Sequence, residues 1–535
     1  MGLTKLLLIF EYYIVHVYEK IKFSNIRNIY LYIRFLLYST ASILKIKNPF
    51  WSISYVKQSN NLNNKRILLF LPSMNLDKPS YLNVGLRLFI NSGKKNNVNF
   101  TVIQCNNSIK ICHLGGSPYK ANNRMPCKSC IKVNSKLYDD LDRVFLPNIK
   151  INHEANLKKL EFEELLNYEY KNYELGKLVH SSVIWIKRDS NLTTLDKDYF
   201  VSMLNDAINL LDYFESCDLE KFDGILVFNG LSFPESILYS VCKKNNLNVA
   251  TFEGGFVNNQ KCAIEFNYGF TSQHFFKFNP ELIDNKGCYE LKQKLLKKSK
   301  IKKNFELPSG FKNAVAIFGN VTWDTTQFIS NSIYTSKYEW LSDLENLALE
   351  YPETLFLFRA HPGENRDLKK TYYGLSEWFK NSKLNNLDNA IMFSADSGIN
   401  SYQIIEKVDL VLVYNSTIGI ESCIKGKKTF AAANSHYLDN GFITSFSNKL
   451  DFIQMVKFTL SNKDFKYDSS KSDLALSYYY QLLESVSYKL DEFVEDQIQL
   501  KLYDEFSIGK KELYSEEFDV LLDKFLNKKN LMSSI

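Results

Sequence analysis

The sequence predicts an α/β protein of two doubly wound, Rossmann-like domains facing a cleft, with helical segments before and after them. Three observations carry that expectation. Apolar runs of strand length recur from residue 66 to residue 433, and segments of helical spacing separate them. Several runs, Leu410-Val-Leu-Val-Tyr414 among them, are continuously apolar, as parallel strands covered on both faces are. Polar residues gather where those runs end, at the sheet edge where open parallel sheets bind ligands.

At 535 residues the chain is long enough for two full cores, and 45% hydrophobic with 23% charged residues is a globular composition. Neither a repeat nor a long proline or serine tract interrupts it, which excludes solenoids and disorder. The net charge is +7, and the first fifty residues, with seven Lys/Arg against two Glu, hold +5 of it. No basic stripe recurs in the α/β body, so a nucleic-acid partner is not expected.

Residues 1–58 form a basic, aromatic segment of helical character. Glu11, Glu19, Lys20, Lys22, Arg27 and Arg34 interrupt each apolar run before it reaches a spanning length. No small-residue cleavage site follows, so a cytoplasmic protein is expected. Tyr30 to Ile46 carries only Arg34 and Lys45. Such a helix either lies peripherally on the cytoplasmic face of the inner membrane or packs as a hairpin on the body.

Residues 59–290 read as the first Rossmann-like domain, on the acceptor side. Its strands are Arg66–Pro72, Val98–Cys105, Asp223–Gly230 and Asn248–Gly255, with a helix over Phe233–Asn245. Nine cysteines without a secretory signal imply reduced thiols. Four of them, Cys105, Cys112, Cys127 and Cys130, cluster, and Cys127-Lys-Ser-Cys130 has the spacing of a metal knuckle. A structural four-thiolate site follows, for zinc first and an iron–sulfur cluster second, with unliganded thiols as the alternative.

The lysine-rich stretch at 291–310 reads as a solvated helix and linker. A second Rossmann-like domain, the nucleotide-binding one, spans 311–465, and 466–535 reads as helices docked on the body. In the second domain, Asp409-Leu-Val-Leu-Val-Tyr-Asn-Ser-Thr-Ile-Gly-Ile-Glu-Ser422 is a strand, a tight polar turn and a helix start, with Ser416 as N-cap and Gly426 as the stop. About fifty residues earlier, the strand Thr354-Leu-Phe-Leu-Phe runs into Arg359, His361, Pro362 and Glu364. Arg359, His361, Ser416 and Thr417 therefore line one pocket, in which a phosphate can be held. Asn229 and Glu253-Gly254-Gly255 end strands of the first domain; Asn320, Trp323, Asp324, Asn415 and Glu421 complete the second. A carboxylate on one wall and a cationic, hydroxyl-bearing set on the other suit transfer from an activated phosphate. Plainer roles stand beside these: Ser416 as an ordinary cap, His361 as a structural residue, Glu253 as a buried capping carboxylate.

The motifs Asn320-Val-Thr-Trp-Asp324, Arg359-Ala-His-Pro-Gly-Glu364, Asn415-Ser-Thr-Ile-Gly-Ile-Glu421 with Gly426-Lys427, and His436-Tyr-Leu-Asp-Asn-Gly-Phe442 together resemble those of a known family. It is the bacterial capsule and surface polysaccharide biosynthesis proteins, glycosyltransferases of the GT-B fold, and the resemblance covers residues 60–460. The cysteine cluster also resembles one in the first domain of some relatives. Among GT-B sialyl- and Kdo-transferases, which use CMP-activated acidic sugars, an acidic-Gly motif, a His-Pro motif and a Ser/Thr motif recur in this order; Glu253-Gly254, His361-Pro362 and Ser416-Thr417 match them. The resemblance implies Glu253 as general base, His361 as a catalytic, nucleotide-contacting residue, and Arg359, Asn415, Ser416, Thr417, Glu421 and Asn320 around the nucleotide and its phosphate. The acidic motif departs from the pattern, holding one Glu after Phe252 in place of a pair. No Asp-x-Asp motif stands at a suitable strand end, so no catalytic metal is expected, and Arg359, His361 and helix N-termini would meet the phosphate charge.

The resulting expectation is a glycosyltransferase that moves a sugar from a nucleotide-sugar donor, CMP-linked in one version, to a capsule glycan or lipid-linked acceptor. A polyol-phosphate transferase of the same fold is the nearest alternative. A nucleotide-sugar epimerase fits the basic N-terminus less well, and a non-catalytic polysaccharide-assembly protein is the alternative outside enzymes.

Overall fold

The computed structural model describes residues 65–72, 81–112, 127, 130, 131, 134, 137–148, 151–255, 262–270, 276–282, 284–298, 305–324, 333–365, 371, 373–500, 503–508 and 513–533. The N-terminal segment, with its expected membrane or hairpin role, lies outside them. The chain divides into two compact units. Unit 1 holds 1–187, 192–275 and 485–535; unit 2 holds 188–191 and 276–484.

Unit 1 is built on β1 (Lys65–Phe70), α1 (Tyr81–Lys95), β2 (Val98–Gln104), β3 (Asp142–Phe145), α2 (Leu175–Lys187), α3 (Lys197–Ser216), β4 (Gly224–Phe228), α4 (Glu235–Lys244), β5 (Val249–Gly254) and β6 (Ala263–Asn267). Five strands are parallel in the order β3-β2-β1-β4-β5, and β6 adds antiparallel to β5. Side chains alternate across each strand, so β1 feeds two cores at once. Ile67 and Leu69 pack with Val84 and Leu88 of α1, while Leu68 and Phe70 pack with Val179 of α2 and Phe200 and Phe214 of α3. Each fully buried Leu or Phe contributes roughly 1.5–3 kcal/mol.

Unit 2 repeats the plan with β7 (Asn313–Phe318), α5 (Lys337–Glu350), β8 (Thr354–Arg359), β9 (Ala390–Phe393), β10 (Leu410–Val413), α6 (Ile418–Ile424) and β11 (Lys428–Ala431), followed by α7 (Lys449–Asn462) and α8 (Ser469–Ser485). All five strands are parallel, in the order β9-β8-β7-β10-β11. Val315, Ile317, Phe356 and Phe358 pack with Trp340, Leu341 and Leu344 of α5. Ser336 caps α5 by accepting from the Glu339 N–H at 3.1 Å, and Asn448 caps α7 through Asp451 N–H at 2.9 Å.

The C-terminal stretch differs from the run of helices expected over 466–535. Only α8 stays in unit 2; the chain then returns to unit 1 as β12 (Tyr488–Lys489), antiparallel to β6, the hairpin β13 (Val494–Leu500) and β14 (Tyr503–Ile508), and α9 (Glu516–Leu526). The anchor is aromatic. Phe525 meets Phe89 of α1 edge-on with ring centroids 5.9 Å apart, and Phe518 meets Phe266 of β6 at 6.3 Å. Among the described residues no helix is long and apolar enough to cross a membrane.

Candidate functional site

In both units the strand order reverses direction beside the first strand, and ligands of doubly wound sheets bind at such a switch point. In unit 2 it lies between β7 and β10, whose following loops carry Asn320 and Asn415-Ser416-Thr417. The two asparagines meet across it: Nδ2 of Asn320 donates to Oδ1 of Asn415. The other end of Asn320, Oδ1, is buried and has no hydrogen-bond partner among the described residues. A buried acceptor left so costs about 1–3 kcal/mol, which a ligand's donor group would recover.

Ser416 does not cap α6. The N-cap position falls on Thr417, whose backbone is already helical and whose side chain makes no cap bond. The Ser416 carbonyl is the group in use, accepting from the Gly419 N–H at 2.9 Å and the Tyr437 hydroxyl at 2.8 Å. Both hydroxyls, on half-buried residues, are thus not spent on capping. Gly426 ends the helix as expected, at φ +74°, where only glycine is unstrained. Glu421 accepts from the Tyr402 hydroxyl at 2.8 Å and also faces Tyr479, so its carboxylate already has protein partners.

At the end of β8 the sequence-predicted residues separate into two roles. Arg359 is buried and donates to the carbonyls of Phe393, at 3.4 Å, and Ser394, tying β8 to the end of β9. His361 stays exposed, and its Nδ1 accepts from the Gly363 N–H at 3.0 Å, which leaves the proton of the neutral ring on Nε2. Crowding of the ring, then the Lys337 and Arg359 cations, hold its pKa below the usual histidine value, with Asp324 opposing. At neutral pH it is therefore an Nε2–H donor. Glu364 is buried, accepts from the Leu375 N–H at 3.2 Å, and is pushed up by that burial against the pull of Lys337, the Leu375 N–H and Arg359. A Cβ on Gly374 would stand 2.5 Å from its Oε2, so a larger residue there would force the carboxylate to shift.

Lys337 joins these residues and was not expected from the sequence. It opens α5, is 4% exposed, and donates from Nζ to the carbonyl of Asn320. Burial lowers its pKa to about 8, against the opposing charges of Glu364 and Asp324. One signal was present: a cation in the first turn of a helix opposes the macrodipole, so Lys after the Ser336 cap is an expensive choice. Lys337, His361, Asp324, Glu364 and Arg359 thus share one electrostatic neighbourhood on unit 2 beside the Asn320–Asn415 pair.

Unit 1 holds the other expected residues. Glu253 is half-buried on β5, directly across from Glu265 of β6, which is 2% exposed. Opposed residues of an antiparallel pair share a face, so the two glutamates stand on the same side of the sheet. Asn229 serves its own turn, accepting from the N–H groups of Leu231 at 2.9 Å and Ser232 at 3.1 Å.

The four cysteines share one neighbourhood. The Cys130 thiol is pushed well above its ordinary range, by burial first and then by Cys112, Cys105 and Cys127. The N–H groups of Ile109, Ser108 and Asn107 point at the Cys105 sulfur and partly offset its burial, and Asn134 Nδ2 donates to Cys130 Sγ at 3.6 Å. Donors aimed at sulfur favour thiolates, the ligating form. Among the described residues no three His, Cys, Asp or Glu side chains stand close enough together to hold a metal ion as placed.

No family model and no curated protein matches the sequence. Solved structures do align with it. KpsC from Thermosulfurimonas dismutans, described as a β-Kdo 2,4 transferase, aligns at 11% identity over 48% of this chain and 80% of its own, with TM-score 0.33. A Rickettsia africae glycosyltransferase aligns at 12% over 79% and 96%, with TM-score 0.28. A Neisseria meningitidis UDP-GlcNAc 2-epimerase bound to UDP-GlcNAc aligns at 12% over 78% and 99%, with TM-score 0.25. Similarity at this level decides neither fold nor activity, and the doubly wound architecture rests on the strand orders themselves.

Proposed function

We propose that this chain is a GT-B-type glycosyltransferase that moves a sugar from a nucleotide-activated donor, CMP-linked in the version the motifs favour, to a capsule or surface glycan or a lipid-linked glycan acceptor. The observation that carries this reading is the switch point of unit 2, where an unsatisfied Asn320 oxygen, two hydroxyls, a neutral imidazole and a buried lysine surround one strand edge. Lys337, the Nε2–H of His361, and Ser416 and Thr417 would hold the donor phosphate and stabilise it as it leaves with the bonding electrons of its sugar. Unit 1 would supply the base: Glu253 takes the proton of the acceptor hydroxyl as its oxygen bonds to the anomeric carbon. The test is nucleotide release from CMP- and UDP-sugars with and without glycan acceptor. Release that depends on acceptor, with the sugar recovered on it, supports the reading; release of a polyol phosphate from a CDP-linked donor would replace it with the polyol-phosphate transferase, and no release from any donor would sink both.

We further infer, from the spacing of the four cysteines, a structural metal in unit 1, zinc before an iron–sulfur cluster, whose binding would have to draw the thiols closer together than they stand. Cys105, Cys112, Cys127 and Cys130 would be its ligands, and the metal would contribute folding free energy to unit 1 without entering the reaction. Purified protein should then contain about one zinc per chain, and Cys127→Ser should lower the melting temperature and the metal content together. Metal-free protein with wild-type stability would refute the site.

The basic N-terminus would place the enzyme on the cytoplasmic face of the inner membrane. Each basic residue near an anionic leaflet contributes roughly 1 kcal/mol. Deleting residues 1–58 should abolish flotation with anionic vesicles, and salt should weaken that of the full chain. Full-length protein that ignores such vesicles at low salt would return the segment to the folded body.

A further inference from the structure

The stretch His436–Phe442 leaves β11 beside the Asn415–Thr417 turn of unit 2. The ladder between β10 and β11 runs on past both strands, with the N–H groups of Ala432 and Ala433 donating to the carbonyls of Val413 at 2.9 Å and Tyr414 at 2.8 Å. Tyr437 then crosses back to the turn. It is fully buried, and its hydroxyl donates to the Ser416 carbonyl at 2.8 Å. Burial pushes its pKa above the ordinary tyrosine value, so it stays a protonated donor. The ring passes α6 at Gly419, where an added Cβ would stand 3.1 Å from the hydroxyl oxygen and crowd it. The residues on either side of Tyr437 are held by α8. Tyr478 of α8 gives its one hydroxyl proton to the His436 carbonyl at 2.8 Å, so His436 Nδ1, 2.8 Å from the same oxygen, is the donor to it. The two rings lie 21° from parallel, and Tyr478 also packs against Phe442, with centroids 5.2 Å apart. Both ends of the stretch are thus fixed on one side chain, with Tyr437 between them.

We propose that Tyr437 is a positioning residue of the donor site, whose hydroxyl holds the turn that presents Ser416 and Thr417 to the donor phosphate. This inference rests on the donor reading given above. Peptide groups are planar, so fixing the Ser416 carbonyl fixes the plane that joins the Cα atoms of residues 416 and 417, and with it the directions in which their side chains leave the backbone. The Gly419 N–H secures that carbonyl from within the turn. Tyr437 adds a second bond from 21 residues away and ties the turn to the body of unit 2. Phenylalanine would fill the same space, and burying a hydroxyl costs free energy unless it is hydrogen-bonded, so tyrosine is the better residue here only for its bond to the turn.

Titration calorimetry with cytidine, uridine, CMP and UDP tests this on wild type, Tyr437→Phe, the double variant Ser416→Ala/Thr417→Val and the combination of all three changes. Tyr437→Phe keeps the ring, and the Ser416 carbonyl keeps its bond from Gly419, so the fold should survive. The variant is expected to bind whichever of CMP and UDP wild type binds about three- to tenfold more weakly, the worth of one neutral hydrogen bond, and to leave nucleoside affinity unchanged. Once the two hydroxyls are gone, the same change should cost nothing further, because effects of residues that act through one another do not add. Wild-type nucleotide affinity in Tyr437→Phe overturns the inference. So does an equal loss for the nucleosides, or a loss repeated in full in the triple variant, since either marks a general structural role. A double variant that binds nucleotide as wild type does overturns it too, because the turn then holds no phosphate. Tyr478→Phe, which releases the His436 carbonyl and leaves Tyr437 in place, should act in the same direction, and it carries the test if Tyr437→Phe is poorly folded. Wild-type protein that binds none of the four ligands overturns the donor reading and this inference with it, a result distinct from a Tyr437 variant that binds as wild type does.

Discussion

Glu253→Gln is expected to bind donor almost normally and to turn over about 10²–10⁴ times more slowly, the usual contribution of a general base. The carboxamide keeps the size and shape of the carboxylate on β5, so sheet pairing with β6 should survive. What it loses is the ability to take the acceptor proton. Single-turnover kinetics with saturating donor read the effect without interference from binding. Turnover retained in the glutamine variant would return Glu253 to a structural role and leave unit 1 without its expected base.

Lys337→Met is expected to pull stability and binding in opposite directions. The ammonium is buried, and with its pKa lowered to about 8 the folded state releases its proton before the unfolded chain does, near the ordinary lysine value of 10.5. Between those two values the unfolded state binds more protons, so this group's contribution to stability rises with pH through that window, and below about 8 the full penalty of burying the charge applies. That penalty is on the order of 3 kcal/mol, from roughly 1.4 kcal/mol per pKa unit. Methionine removes the charge at nearly constant shape, so thermal melts at pH 7 should show a variant at least as stable as wild type. Donor affinity should nonetheless fall by about 10–100-fold, as one charge-assisted contact to phosphate is lost. In wild type the same affinity should decline as pH passes 8, and that dependence should vanish in Lys337→Met. A variant that is less stable and binds donor normally would make Lys337 a structural residue.

Much of this architecture can be read from local pattern. The parallel strands β1, β4, β7, β8 and β10 were legible because burial on both faces forces continuous apolar runs. Gly426 was legible because ending α6 with a left-handed residue requires glycine. The edge strand β3 and the antiparallel β6 were not. β3 is exposed along its length, and Ala263-Ile-Glu-Phe-Asn267 carries its polar residues inside a buried sheet, so neither shows the pattern of a covered parallel strand. The Ser416 hydroxyl was misread as a cap, since residue type predicts an N-cap but only backbone geometry decides which residue occupies it.

That this is a two-sheet α/β protein with polar residues at its strand ends is written locally, because strand periodicity and turn chemistry act over a few residues and leave their mark in order along the chain. Which of those residues meet is set by long-range packing. Lys337, 17 positions after Asn320, donates to its carbonyl; Glu265 stands across from Glu253 through strand register; and Arg188, about 130 residues from its indole partner in sequence, stacks on Trp323. Such pairings depend on the register and packing of elements distant in the chain, and a reading confined to neighbouring residues carries no information about them.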